Sequence, residues 1–166
     1  MKQNMNLWRS ALRESRERKA LPIMTYPGLK LVDKTVKDVI TNGRDQYSCI
    51  AALSKKYPTA AAATIMDLSV EAETFGSKIK YADNEVPSVV GKIISNMDDA
   101  QKIQIPKVGA GRTQVYIEAA KTAAAGITDR PVLAGQIGPF SLAGRMMDMT
   151  EIMIALMEEP EIVHVV

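Results

Sequence analysis

Leu7, Ala11, Leu12 and Ser15 recur at near-helical spacing among Arg and Glu residues, which predicts an amphipathic helix over 7–18. The run Leu21-Pro22-Ile23-Met24-Thr25-Tyr26-Pro27-Gly28 is apolar, opened by a proline and closed by Pro-Gly. That punctuation predicts a buried strand with Thr25 and Tyr26 at its exit. After the Asn42-Gly43 break, Tyr47, Ile50, Ala51, Ser54 and Tyr57 share one side of a second helix, which Pro58 stops. Residues 60–68, AAAATIMDL, form a second strand whose small side chains suit crowding by helices, with Asp67 at its end. Residues 78–90 alternate briefly around Pro87 and read as an irregular or hairpin excursion. Tyr116, Ala120, Ala123 and Ile127 then share the face of a long helix, with Gly126 where it would fray or cap. Arg130-Pro131 opens a third strand, Val132-Leu133-Ala134-Gly135-Gln136-Ile137, which runs through Gly138-Pro139-Phe140 into a methionine-rich helix.

Strands separated by helices at this spacing favour a parallel sheet with right-handed crossovers, in a barrel or an open doubly wound sheet. A closed barrel of this type needs eight strands and about 250 residues, whereas three strands are legible here. The pattern EEPEIVHVV runs into an apparent helix without a capping signal. The expectation is therefore an interrupted fold: a fragment, the ordered part of a longer chain, or one of two assembling halves.

Composition narrows the function classes. Hydrophobic residues make up 46% of 166 residues, enough for one domain with a sizeable core. The formal charge of +2 comes from 21 basic and 19 acidic side chains, interspersed along most of the chain, so a nucleic-acid partner is not expected. Arg9, Arg13, Arg16, Arg18 and Lys19 cluster among Glu14 and Glu17 and read as a solvated helix face rather than a phosphate site. A single cysteine, Cys49, excludes an internal disulfide, and the N-terminus lacks an apolar leader; the expected location is cytoplasmic, with no membrane span.

Four segments then carry a resemblance. ALRESRERKALPIM, YPTAAAATIMDLSVEAETFG, NMDDAQKIQIP and PVLAGQIGPFSLAG resemble, in order, the uroporphyrinogen decarboxylase superfamily and within it the methylcobamide:coenzyme M and related methyltransferases. Two motifs are specific. Asp67-Leu68-Ser69-Val70-Glu71-Ala72-Glu73 followed by Phe75-Gly76 resembles the DLTVEAEAFG-type segment of the methyltransferase branch, and Gly138-Pro139-Phe140-Ser141-Leu142-Ala143 resembles the superfamily's GPFTLA turn. Gly109-Ala110-Gly111 is a lone G-x-G that does not follow a strand and carries little as a nucleotide fingerprint. Decarboxylases carry an MRQAGRYLPE-like segment whose arginines hold substrate carboxylates; the matching stretch here, MTYPGLKLVD, has no arginine, and Lys30 lacks the fork geometry. The resemblance implies an α/β fold of the (β/α)8 TIM-barrel type, with residues 1–166 supplying about the N-terminal half of a single barrel domain.

In such barrels the site lies at the C-terminal ends of strands, which nominates Thr25, Tyr26, Asp67, Ser69 and Gln136. Asp67 is the expected catalytic residue, because a carboxylate at an apolar strand exit must meet backbone donors, a cation or a ligand; a helix N-cap or bracing role is its alternative. Thr25, Tyr26, Ser69 and Gln136 are expected to line the substrate. Glu71 and Glu73 fit a first helical turn electrostatically without any ligand. The methionine-rich stretch from Met146 to Met157 reads as gap-filling core, with a surface adaptable to a corrinoid or corrinoid protein as the alternative. The resemblance also implies zinc to activate an acceptor thiol, with His and Cys ligands in the family's C-terminal half; His164 and Cys49 have no zinc spacing and read as an ordinary helix residue and a small core residue. The expected function is methyl transfer from a methylated corrinoid, carried by a corrinoid protein or methylcobalamin, to a small thiol or pterin acceptor. Tetrapyrrole decarboxylation and a noncatalytic half-barrel unit stand as alternatives, and open strand edges suggest a homo-oligomer.

Overall fold

The computed structural model describes residues 4–166. In chain order the elements are α1 (Met5–Glu14), a 3-10 turn (Tyr26–Gly28), α2 (Leu29–Val32), α3 (Val36–Thr41), α4 (Gly43–Lys56), β1 (Ala62–Ala63) and α5 (Val70–Thr74). They continue with β2 (Lys78–Lys80), β3 (Ser88–Val90), α6 (Met97–Lys102), α7 (Thr113–Gly126), β4 (Val132–Leu133), α8 (Pro139–Met147), α9 (Met149–Glu158) and α10 (Pro160–Val165). Two compact units contain them: residues through Met66 with Val115–Gly135, and Asp67–Gln114 with Gln136–Val166.

In the first unit α1 starts on Asn4, whose side chain accepts from the N–H groups of Asn6 and Leu7. The helix is shorter than its periodicity predicts. Ser15 takes the N–H of Glu17 on its hydroxyl, a local turn that competes with continued helix, so Arg16, Arg18 and Lys19 lie exposed beyond the helix end. The Trp8 indole N–H donates to the Ala60 carbonyl at 3.1 Å.

The buried strand predicted over 21–28 does not form. Residues 19–25 belong to no ladder, Ile23 is 67% exposed, and Tyr26–Gly28 coil into the 3-10 turn. Two prolines explain this, since Pro22 has no N–H to donate and Pro27 presets φ for a turn. The 3-10 turn, α2, α3 and α4 gather around Val36, Val39, Ile40, Cys49, Leu53 and Ile65. A capping box between Thr35 and Asp38 opens α3, and Asn42 caps α4 as the Asn-Gly break predicts. β1 and β4 pair in parallel, Ala62 with Val132 and Ala63 with Leu133, and α4 and α7 pack on them through Ile50 and Ala123. Parallel strands separated by helices are the arrangement expected of an unclosed portion of a (β/α) barrel.

The second unit holds the excursion over 78–90, which is an antiparallel hairpin with Lys78 opposite Val90 and Lys80 opposite Ser88. Its core is Ile94, Ala100, Ala143, Met146, Met147, Ile152 and Ile162, drawn from α6, α8, α9, α10 and the segment before α6. The methionine stretch thus divides: Met146 and Met147 fill the core, while Met153 and Met157 face outward.

Candidate active site

Asp67 follows β1 in the chain, after Thr64 and Ile65, both buried. Its carboxylate folds back on the next turn: Oδ1 accepts from the Ser69 backbone N–H at 2.8 Å and from the Ser69 hydroxyl at 2.6 Å. This is the local bonding by which Asp initiates a turn, and it launches α5 at Val70. Oδ2 accepts from Arg112 Nη1 at 2.6 Å, and no part of the Asp67 side chain is exposed. Arg112 Nη2 donates to the Ser69 hydroxyl at 3.0 Å, closing a ring of three side chains.

Arg112 serves a second carboxylate. Its Nε donates to Glu73 Oε2 at 2.5 Å, the Tyr81 hydroxyl donates to Glu73 Oε1, and the Tyr81 ring lies 5.1 Å from the guanidinium carbon. One guanidinium thus neutralises one of two carboxylates and leaves the cluster with a net negative charge. Burial alone would raise the Asp67 pKa, but the hydrogen bonds from Ser69 and Arg112 outweigh it and hold the group below its usual value. Burial likewise opposes the Arg112 charge, and the two carboxylates overcome it, so Arg112 stays protonated throughout. Burial and the bond to Glu73 together raise the Tyr81 pKa.

Beside this cluster, Glu71 Oε1 accepts from the Ile137 backbone N–H at 3.4 Å. Its Oε2 is buried without a hydrogen-bond partner in the protein, as is Ser77 Oγ. These are acceptors with unused capacity where a ligand or water is expected to bond.

The predicted residues divide by location. Asp67 and Ser69 meet directly. Gln136, expected within an apolar strand, instead lies beyond the end of β4 at Leu133 and is exposed, one residue before the Ile137 N–H that meets Glu71. The strand is cut short because its last paired position is followed by Ala134-Gly135, whose Gly135 N–H turns to the Thr64 hydroxyl instead of a ladder partner. Thr25 and Tyr26 belong to the first unit, where Thr25 is buried and its carbonyl accepts from the Cys49 thiol at 3.3 Å.

Sequence reading missed Arg112. The G-x-G, which carries little as a nucleotide fingerprint, has a conformational use: Gly109 and Gly111 adopt φ of +83° and +52°, and Arg112 follows directly. An arginine placed between such glycines and a helix start was the available signal.

Among the described residues no three His, Cys, Asp or Glu side chains come together as a metal site. His164 is exposed on α10, and Cys49 is buried in the first unit with its thiol pKa pushed up to about 11 by burial. These residues do not fit a zinc ion. No helix among the described residues is long and apolar enough to cross a membrane.

Two curated proteins, the methylcobamide:CoM methyltransferases MtbA of Methanosarcina acetivorans and Methanosarcina mazei, are each 37% identical over 79 residues, covering 46% of this chain and 23% of their own length. A solved structure described as a methyltransferase from Methanosarcina mazei superposes with a TM-score of 0.78 at 20% identity, over 93% of this chain and 48% of that one. The chain thus spans about half the length of that structure and shares its fold. The family model described as uroporphyrinogen decarboxylase (URO-D) matches residues 26–166, and with most of its length matched, the chain belongs to the uroporphyrinogen decarboxylase family.

Proposed function

We propose that the protein is a methyltransferase that moves a methyl group from a methylated corrinoid, free or carried by a corrinoid protein, to a small thiol or pterin acceptor. The observation that carries this reading is the stretch after the first helix. Residues 24–33 contain no arginine, Tyr26–Gly28 form a turn, and the only cation, Lys30, is exposed. A tetrapyrrole with many carboxylates needs forked, charge-assisted donors there, and this chain offers none. The likeness to methylcobamide:CoM methyltransferases in the most similar segment supports the same choice.

Within that reading, Asp67 is the catalytic carboxylate, ionised at neutral pH and fixed by Ser69 and Arg112. Ser69 and Gln136, of the same unit as Asp67, contact the substrate. Glu71 Oε2 is the acceptor atom open to a donor on the bound molecule. The zinc that the resemblance implies has no ligand set among the described residues.

The test is a direct assay of the complete polypeptide with methylcobalamin and a panel of thiols and pterins, beside porphyrinogen. Demethylation of the corrinoid with matching methylation of one acceptor is expected. Asp67→Asn should lower kcat/KM by about tenfold or more, the usual scale for a positioned polar group. Porphyrinogen decarboxylation without methyl transfer would replace this function with the decarboxylase one. Asn is preferred to Ala as the replacement, because Ala leaves the buried Arg112 facing a void as well as a lost charge.

A further inference from the structure

The loop that delivers Arg112 is packed at its start and open in its middle. Ile103 packs against the core, Ile105 and Val108 are 90% and 95% exposed, and the backbone reverses through Gly109 and Gly111. Arg112 itself is 9% exposed and donates to three side chains from three different nitrogens. The fork edge that could clamp an anionic substrate is already divided between Asp67 and Ser69, and Tyr81 covers the guanidinium face. A guanidinium so engaged has little left to offer a ligand. What it controls is the charge and direction of a carboxylate at the strand exit.

We propose that Arg112 is a positioning residue of the active site: it holds Asp67 as a permanent, aimed carboxylate, so that turnover has no acid limb from Asp67 protonation, and it does not itself bind substrate. The inference rests on reading Asp67 as part of the site. Among the charged and titratable groups of the elements nearby, Glu73 and Glu71 stand on α5, Tyr81 follows β2, and Arg145 stands on α8, the helix packed with α5. Arg112 pairs with Asp67 at 2.6 Å, and removing that charge leaves burial and the neighbouring carboxylates favouring protonation against the hydrogen bonds from Ser69.

The experiment uses Arg112→Met and Arg112→Lys in the complete polypeptide, with kcat/KM for methyl transfer measured between pH 5.5 and 9, and the Asp67 carboxyl titrated by 13C NMR. The wild type should show no acid limb assignable to Asp67. Arg112→Met should acquire one, falling about tenfold for each pH unit below the new pKa, with little change in KM for the acceptor. Arg112→Lys, which keeps a charge but not the planar fork, should show a smaller limb of the same sign. Combining Arg112→Met with Asp67→Asn should abolish the limb. If Arg112→Met does not fold, Arg112→Lys with the carboxyl titration decides alone. A flat profile with a raised KM would make Arg112 a substrate-binding residue and overturn the proposal, as would an Asp67 titration unmoved in either variant. If Asp67→Asn turns over like wild type, the reading of Asp67 fails; the carboxyl titration still reports separately whether Arg112 governs its charge.

Discussion

Asp67 and Cys49 are both buried groups able to ionise, and their surroundings push them in opposite directions. Asp67 accepts hydrogen bonds from the Ser69 backbone N–H, the Ser69 hydroxyl and Arg112, whose positive charge adds to them, so it remains anionic. Cys49 meets the Thr25 carbonyl, an acceptor, among Val39, Ile40 and Leu53, so the neutral thiol is favoured. The consequence for Cys49 can be measured. Its folded pKa, raised to about 11, lies above that of a free thiol, so its contribution to stability is complete below about pH 8.5 and declines as pH rises through the folded value. A thiol reagent at pH 8 should therefore react at the rate of unfolding rather than at the rate of an accessible cysteine. Fast stoichiometric labelling of the folded protein would contradict the burial.

At the scale of elements, local sequence signals predict starts and stops well and strand pairing poorly. Asn42 before Gly43 and Pro58 after α4 bound that helix as expected, and residues 113–126 form the helix their periodicity demands. The run 21–28 was apolar enough for a strand, yet its prolines left it without ladder bonds, and its residues are used instead in a turn pressed onto α4. That turn is tight. A Cβ on Gly28 would stand 2.5 Å from Cys49 Sγ and 2.8 Å from Leu53 Cδ1. Gly28→Ala should therefore overpack the interface between the 3-10 turn and α4 and cost about 1–3 kcal/mol, read as a lower Tm in thermal melts. An unchanged melting temperature would mean that the turn can lift off α4 at no cost.

At the scale of the molecule, the exposed apolar surface is the main unspent feature. Met149, Met153, Leu156 and Met157 recur at helical spacing on α9 and are all exposed, Met157 at 85%. A row of this kind on a polypeptide of 18.1 kDa favours association. The 166-residue polypeptide taken alone is expected to elute in size-exclusion chromatography above its monomer mass, and replacing Met153 and Met157 with glutamate should shift it back. A wild-type polypeptide that elutes as a monomer and melts cooperatively would show that this face is tolerated in water.

Much of the family and the helices could be read in the chain itself. The DLSVEAE and GPFSLA segments, the Asn and Pro punctuation and the 3.6-residue periodicities act over a few residues each, and short-range steric and hydrogen-bonding rules translate them directly. The bonds between Asp67 and Ser69 obey the same short-range rules, since the two residues are two apart and meet within one turn. The partner that gives Asp67 its charge was not legible, because Arg112 lies 45 residues away and arrives through a loop whose glycines looked like a weak nucleotide motif. Strand lengths and the exposure of Gln136 were likewise decided by tertiary structure, since whether an apolar run joins a ladder depends on which backbone stands beside it. Local sequence sets what each segment can do; only the packed chain determines which distant charge a buried carboxylate meets.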